Sequence, residues 1–323
     1  MVVEWAAPMT DPCPIRAVPF CKRMRRVARY PAVRFAMTLA GCLPLGLARR
    51  IGRDMGSLAW WVSAKERRRA LAHLGMALPG LGERQRRRIG RESFANLGKC
   101  LGEIAQSRHL DACLDSFFEL DAAAFNLIRD AHAEGRGVIL ISAHLGNFEL
   151  LARRVASAGV TQLWVVAKAP GCGRTTGMIA DMRRAGGVHT IWRGSPSAGR
   201  DLLRVVRRGE ILGLVIDQDT DVQGVFVDFM GHPAHTPRAA ADLALRTGAV
   251  VITGFAMPRA GGGYRAAMER IEPPAGLSGE AAVVPFVQAM SDAIERAVRA
   301  APEHWVWMHR RWRKTPGADG PAA

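Results

Sequence analysis

A chain of 323 residues, 49% of them apolar and 7% aromatic, can build a sizeable core, which excludes a globally disordered protein. The formal net charge of +16 is carried almost wholly by arginine, since the only lysines are Lys22, Lys65, Lys99, Lys168 and Lys314. Guanidinium forks bind phosphate and carboxylate in bidentate fashion, so the balance predicts anionic partners: nucleic acid, an anionic membrane or an acidic carrier protein.

The chain opens on a Pro-rich stretch without the pattern of a cleavable signal, followed by the basic cluster Lys22-Arg23-Met24-Arg25-Arg26. Residues 1–30 are therefore expected to form a disordered basic arm. Phe35 to Ala48 carries no charge, is interrupted by Pro44 and is closed by Arg49 and Arg50. It falls short of the roughly 20 apolar residues that a spanning helix needs. A second uncharged stretch, Met55 to Ala64, contains Trp60 and Trp61. Short apolar pieces with basic flanks and paired tryptophans suit a helix lying in the lipid interface, so residues 31–64 read as a membrane-associating helical segment. The competing reading is a helical hairpin packed on the protein's own core.

Residues 65–110 follow a helical pattern, with Phe94, Leu97, Leu101 and Ile104 recurring on one face and the arginines between Arg84 and Arg91 on a solvated one. From about residue 137 short apolar runs read as buried strands: Val138–Ser142, Leu163–Val166, Ile211–Ile216 and Val250–Phe255. Helix-like stretches at 147–158, 174–185, 198–208 and 237–247 alternate with them, and 283–300 forms one more amphipathic helix. The fold class is α/β, a mixed, mostly parallel sheet flanked by helices, with the N-terminal helical region attached. Thr236-Pro237 reads as a helix start, a capping hydroxyl before a first-turn proline. The tail 317–323 is small and polar and reads as disordered.

The chemistry concentrates in Ser142-Ala-His144-Leu-Gly146-Asn147-Phe-Glu149, at the end of the first core strand. Ligands of open α/β sheets bind at such strand ends. Asn147 is a good helix N-cap, which puts Glu149 in the first helical turn and His144 in the loop before it. Residues five apart on one helix lie about 140° apart, so His144 and Glu149 meet only if the chain turns between them, and Gly146 permits that turn. A carboxylate on a histidine fixes its tautomer and stabilises the imidazolium formed when it takes a proton. The pair is built to deprotonate a hydroxyl.

His-x4-Glu resembles the active-site motif of lysophospholipid-type (glycerolipid) acyltransferases, and the string His144 to Glu149 is similar to that of bacterial lipid A biosynthesis late acyltransferases. The resemblance runs from about residue 35 to 315. It takes in Arg183-Arg-Ala-Gly-Gly187, Asp217-Gln218-Asp219, Gly224 to Gly231, Pro233-Ala-His-Thr236 and Trp307-Met-His-Arg310-Arg311-Trp312. Phe148 stands where the family more often has Trp. The resemblance implies an acyltransferase domain over 65–316, acting at the cytoplasmic face of the inner membrane. An acyl chain would pass directly from acyl-carrier protein to a hydroxyl of a lipid A precursor, with no cofactor. His144 would act as general base and Glu149 would orient it. Arg183 would hold an anionic group of acceptor or donor, with Gly146, Asn147, Asp217 and Asp219 completing the substrate site. A lysophospholipid or other glycolipid acceptor is the alternative within this class.

Asp217, Asp219 and Asp221 alternate as in a calcium loop, but Val222 holds the glycine position and Asp228 the place of the closing Glu. A metal-dependent glycosyltransferase is thus the weaker reading, and no metal is expected. Asp217 and Asp219 are expected instead to bond backbone amides and paired arginines beside the active site. Trp305, Trp307 and Trp312 among arginines could stack nucleic-acid bases, yet no nucleic-acid motif accompanies them, so no nucleic-acid partner is expected. The six cysteines, Cys13, Cys21, Cys42, Cys100, Cys113 and Cys172, have no C-x-x-C spacing. That pattern argues against a disulfide framework and a structural zinc, and for a reducing compartment.

Overall fold

The computed structural model describes the backbone of residues 20–316 and the side chains of residues 30–316. The expected disorder of 1–19 and 317–323 lies outside the described residues. Residues 20–30, expected in the disordered arm, are helical: α1 runs Phe20–Cys42, and its end is followed by Pro44, which opens α2 (Leu45–Val62). Two more helices follow, α3 (Ala64–Ala77) and α4 (Glu83–Ala105), then the single turns α5 (Ser107–Leu110) and α6 (Leu114–Phe117).

The α/β part begins with β1 (Phe118–Glu119), α7 (Ala122–Ala133), β2 (Val138–Ser142) and α8 (Phe148–Ser157). It continues through β3 (Leu163–Lys168), α9 (Gly173–Ala185), β4 (Val188–Arg193), α10 (Ala198–Arg207) and β5 (Ile211–Val215). A hairpin, β6 (Gly224–Phe229) and β7 (His232–Pro237), precedes α11 (Ala239–Thr247), β8 (Val250–Pro258), β9 (Tyr264–Ile271) and α12 (Gly279–Ala300). Seven strands form one sheet in the order β1-β9-β8-β2-β5-β3-β4. Every pairing in it is parallel except that of β8 with β9, so the sheet is mixed and mostly parallel.

Strand β2 is buried along its whole length, as expected of a central parallel strand covered on both faces. Its alternate residues serve different cores. Ile139 and Ile141 pack with residues of α10, α11 and α12, while Val138 and Leu140 pack with residues of α7 and α8. The four strands expected from apolar runs are all present. The expected helix start at Thr236 is not: the residue lies in β7, and its hydroxyl donates to the Ala234 carbonyl and accepts from Arg311 Nη2 at 2.8 Å. That buried guanidinium gives the hydroxyl a stronger partner than a helix terminus would.

Helix α2 lies against α4 through small residues. A Cβ on Gly98 would stand 2.0 Å from the Gly52 carbonyl oxygen, and one on Gly56 would stand 2.1 Å from that of Phe94. Only glycine allows backbones this close. The inward stripe of α2 is Ala48, Gly52, Gly56 and Trp60, whose ring meets Phe94 edge-on at 5.4 Å. The neighbouring stripe, Leu47, Ile51, Met55, Leu58 and Val62, is exposed together with Trp61. Trp60 is therefore a core residue, and only Trp61 of the pair faces outward, because successive helical residues point about 100° apart. No helix among the described residues is long and apolar enough to cross a membrane.

Gly98→Ala should lower the thermal midpoint by several degrees, since overpacking costs about 1–3 kcal/mol where neither backbone can retreat. Thermal unfolding followed by circular dichroism checks this, and an unchanged midpoint would contradict the close contact.

Candidate functional site

Strands β2 and β5 are parallel neighbours with Ser142 opposite Val215. Two residues further along each chain come His144 and Asp217, so the register alone delivers both to the carboxyl end of the sheet. The Asp217 side chain is completely buried and receives three hydrogen bonds. The His144 amide donates at 2.8 Å, His144 Nδ1 at 2.7 Å and the Trp305 indole at 2.8 Å. A carboxylate can only accept, so Nδ1 carries a proton, and the neutral tautomer this selects is the one with its lone pair on Nε2. Burial pushes the Asp217 carboxyl upward, but attraction to His144 and the bonds from its ring, from Trp305 and from the His144 amide outweigh it. The group is held well below the usual carboxylate range.

The turn after β2 follows the sequence logic. Gly146 has φ of +58°, and a Cβ there would lie 2.1 Å from the Ala256 carbonyl oxygen. Asn147 Oδ1 accepts from the Leu150 amide at 3.2 Å and caps α8, placing Glu149 in the first turn. The expected bond between Glu149 and His144 is not the one formed. Glu149 makes a two-bond pair with Arg183 from the last turn of α9, Nε to Oε2 at 2.9 Å and Nη2 to Oε1. A guanidinium fork matches a carboxylate better than one imidazole nitrogen does, and strand register has already put Asp217 on that nitrogen. Arg183 also reaches Thr190 Oγ1 at 3.4 Å. The two pairs stand in one region, since Glu149 follows His144 by one turn of chain and Phe148 lies edge-on to the His144 ring at 5.0 Å.

Asp219 accepts from the Lys314 amide at 2.7 Å and lies 3.4 Å from Arg313 Nη2, a backbone amide and an arginine as expected. It fastens the C-terminal segment and lies 3.3 Å from His235 Nδ1. Among the described residues no group of three or more His, Cys, Asp or Glu side chains is placed to hold a metal ion.

Two neighbours of His144 were not singled out in the sequence. The His309 ring stands 4.8 Å from that of His144, and burial, with His144 beside it, lowers its pKa to about 4, so it is neutral near pH 7. The Gln218 side-chain nitrogen lies between the rings, 3.1 Å from His144 Nδ1, 3.0 Å from His144 Nε2 and against His309 Nδ1. Both residues lie inside blocks of the resemblance, but no spacing rule joins residue 309 to residue 144.

The model of the family described as bacterial lipid A biosynthesis acyltransferase matches residues 19–314. The chain is 24% identical over 282 residues to the lipid A biosynthesis lauroyltransferase of Escherichia coli K12, covering 85% of this chain and 88% of the relative. It is 28% identical over 282 residues to the lipid A biosynthesis acyltransferase of Haemophilus influenzae, covering 85% and 84%.

Because folding depresses the Asp217 pKa, its stabilising contribution is fully present above the unfolded value of about 3.9 and is lost as pH falls below it towards the folded value. Asp217→Asn should therefore lose less stability than the parent protein as pH is lowered from about 5 to 3. Parallel melting curves across that window test this, and identical slopes would remove the charge from the account.

Proposed function

The chain belongs to the bacterial lipid A biosynthesis acyltransferase family, and on that premise we propose that it moves a fatty acyl chain from acyl-carrier protein to a hydroxyl of a lipid A precursor with His144 as general base. One observation carries the mechanism: Asp217 holds the Nδ1 proton at 2.7 Å and leaves the Nε2 lone pair for the acceptor. In this reading Nε2 takes the hydroxyl proton as the oxygen attacks the thioester carbonyl. The new C–O bond forms, the C–S bond breaks, and the imidazolium returns the proton to the departing thiolate. The buried Asp217 charge stabilises the imidazolium between those steps. Such a base supplies roughly 10²–10⁴-fold, and positioning of the two substrates supplies the rest.

Arg183 is suited to an anionic group of acceptor or donor, and Glu149 acts by holding its fork in one plane, which leaves Nη1, whose present contact is Thr190 Oγ1 at 3.4 Å, a further N–H to offer. Glu149 thereby serves the reaction through Arg183 instead of through His144. Gly146 and Asn147 shape the turn, and Asp219 fixes the segment that carries Arg313 and Lys314.

The exposed apolar stripe of α2 supports seating on a lipid surface, and Phe35 and Leu39 of α1 and Leu101 of α4 are exposed as well. Arg34 and Arg50 are exposed nearby, and each basic residue at an anionic leaflet adds about 1 kcal/mol. The surface proposed is the cytoplasmic face of the inner membrane, where a lipid acceptor and a soluble acyl-carrier protein can meet.

With purified protein, acyl-carrier-protein thioester and lipid A precursor, His144→Ala and Asp217→Asn should each lower turnover at least about a hundredfold while remaining folded. Arg183→Lys should raise KM more than it lowers kcat, because it keeps charge and loses the fork. Near-normal turnover in folded His144→Ala would end the general-base reading. If mass spectrometry of a deletion strain shows phospholipids losing an acyl chain and lipid A intact, the acceptor is wrong.

Leu58→Glu combined with Trp61→Glu should shift the protein from the membrane to the soluble fraction at low salt, whereas high salt alone should release the unaltered protein only in part. An unaltered protein that is soluble at low salt would overturn the docking role of this face.

A further inference from the structure

Between α2 and the His144 turn lies a carboxylate that the proposed chemistry leaves unused. Glu103, in the last turn of α4, has no exposed surface. A carboxylate so placed needs a partner for each oxygen. Three separate parts of the chain meet it. Asn147 Nδ2 donates to Oε2 at 2.9 Å, the Tyr264 hydroxyl of β9 donates to the same oxygen at 2.8 Å, and Arg49 Nε of α2 forms an ion pair at 3.0 Å with Oε1, which accepts no hydrogen bond from the described residues.

Asn147 is used from both ends. Its oxygen caps α8, and its nitrogen is held by Glu103. Rotation of that amide would therefore disturb the start of the helix that carries Glu149 and the turn that carries His144. Arg49 reports on α2 in the same way. It follows Ala48, whose carbonyl oxygen would be 2.4 Å from a Cβ on Gly102, the residue before Glu103. Helix α2 cannot slide along α4 at this point without moving Arg49 relative to Glu103. Of the three partners Arg49 lies on the helix with the exposed apolar stripe, and its own side chain is 28% exposed.

We propose that Glu103 is a positioning residue: through Asn147 it fixes the turn that aims His144, and through Arg49 it ties that turn to the seating of α2. The proposal rests on the reading of His144 as the base. It adds that the lipid-facing helix and the catalytic turn share one buried anion, so disturbance of the helix reaches the reaction before it reaches the fold.

The test uses the full chain as Glu103→Gln, Arg49→Gln, Arg49→Lys and the double variant Glu103→Gln/Arg49→Gln, each assayed well below its own melting temperature. Misplacing a catalytic group by a fraction of an ångström to an ångström lowers turnover about tenfold to a hundredfold. The expected result is a fall of that size in kcat for both single Gln variants, with KM for each substrate within about twofold. The double variant should be no worse than the poorer single, as expected for parts of one unit. Arg49→Lys, which keeps a cation for Glu103, should recover most of the loss. Wild-type kcat in folded Glu103→Gln overturns the proposal, as does a fall in activity that only tracks the fraction folded. If Glu103→Gln does not fold, the Arg49 variants decide, and an unchanged kcat in Arg49→Gln overturns it. Activity lost in His144→Ala but kept in Glu103→Gln would sink this inference alone, whereas activity kept in His144→Ala would sink the base reading beneath it.

Discussion

The buried carboxylate of Asp217 is the group on which the rest of the site depends. Removed from water, it is stable only because three donors converge on it, and each donor comes with a piece of structure attached. The His144 amide and ring bring the end of β2, and the Trp305 indole brings the segment after α12. That segment has almost no regular structure, yet Trp305 and Trp307 are fully buried, and Leu145 bridges to Trp305 across it. Its far end is held in the same manner, with Arg311 bonded to the His235 carbonyl and Thr236 hydroxyl while its guanidinium lies 4.7 Å from the Phe229 ring centroid. An irregular wall can be as fixed as a helix when buried polar groups leave it no other way to be satisfied.

The same economy separates two electrostatic tasks. Asp217 meets a histidine ring, a group able to take up and release a proton. Glu149 meets a guanidinium that is charged throughout, so its charge holds the direction of the Arg183 fork. An exchange of partners would pair Arg183 with a carboxylate beyond the end of β5 and His144 with one on α8. The fold prevents exchange by placing Asp217 in line with the β2–β5 register that carries His144, and Glu149 in the first turn of α8.

What could be read from the chain was local. Strands β2, β3, β5 and β8 are apolar runs closed by turn residues, and Gly146 and Asn147 have conformational roles set by their own chemistry. Strands β4 and β9 escaped notice because His189, Arg193, Arg265 and Glu269 break their apolar pattern, as half-exposed strands allow. The β6–β7 hairpin was hidden behind Pro233 and Pro237, which β7 tolerates in a sheet of only two strands. The partner of His144 could not be found locally at all. Glu149 is five residues away in the chain and Asp217 is 73, and only the adjacency of β2 and β5 decides between them. Likewise Trp60 and Trp61 are indistinguishable until the glycines at 52 and 56 fix which side of α2 meets α4.

That glycine contact also explains why α2 has an apolar face left exposed by the described residues. Ala48, Gly52 and Gly56 bring α2 so close to α4 that the interface has no room for a large side chain until Trp60. A helix of this composition must put its remaining apolar residues somewhere, and Leu47, Ile51, Met55, Leu58 and Val62 fall on the adjacent stripe, outside the contact. Packing one helix face by backbone approach instead of by interdigitated side chains thus forces the bulky residues outward. Their burial, a hydrophobic gain that salt does not screen, is then available only to something other than the protein's own core. A lipid surface is the occupant proposed for the whole stripe, and Arg49, on the same helix, is the residue whose charge reaches Glu103.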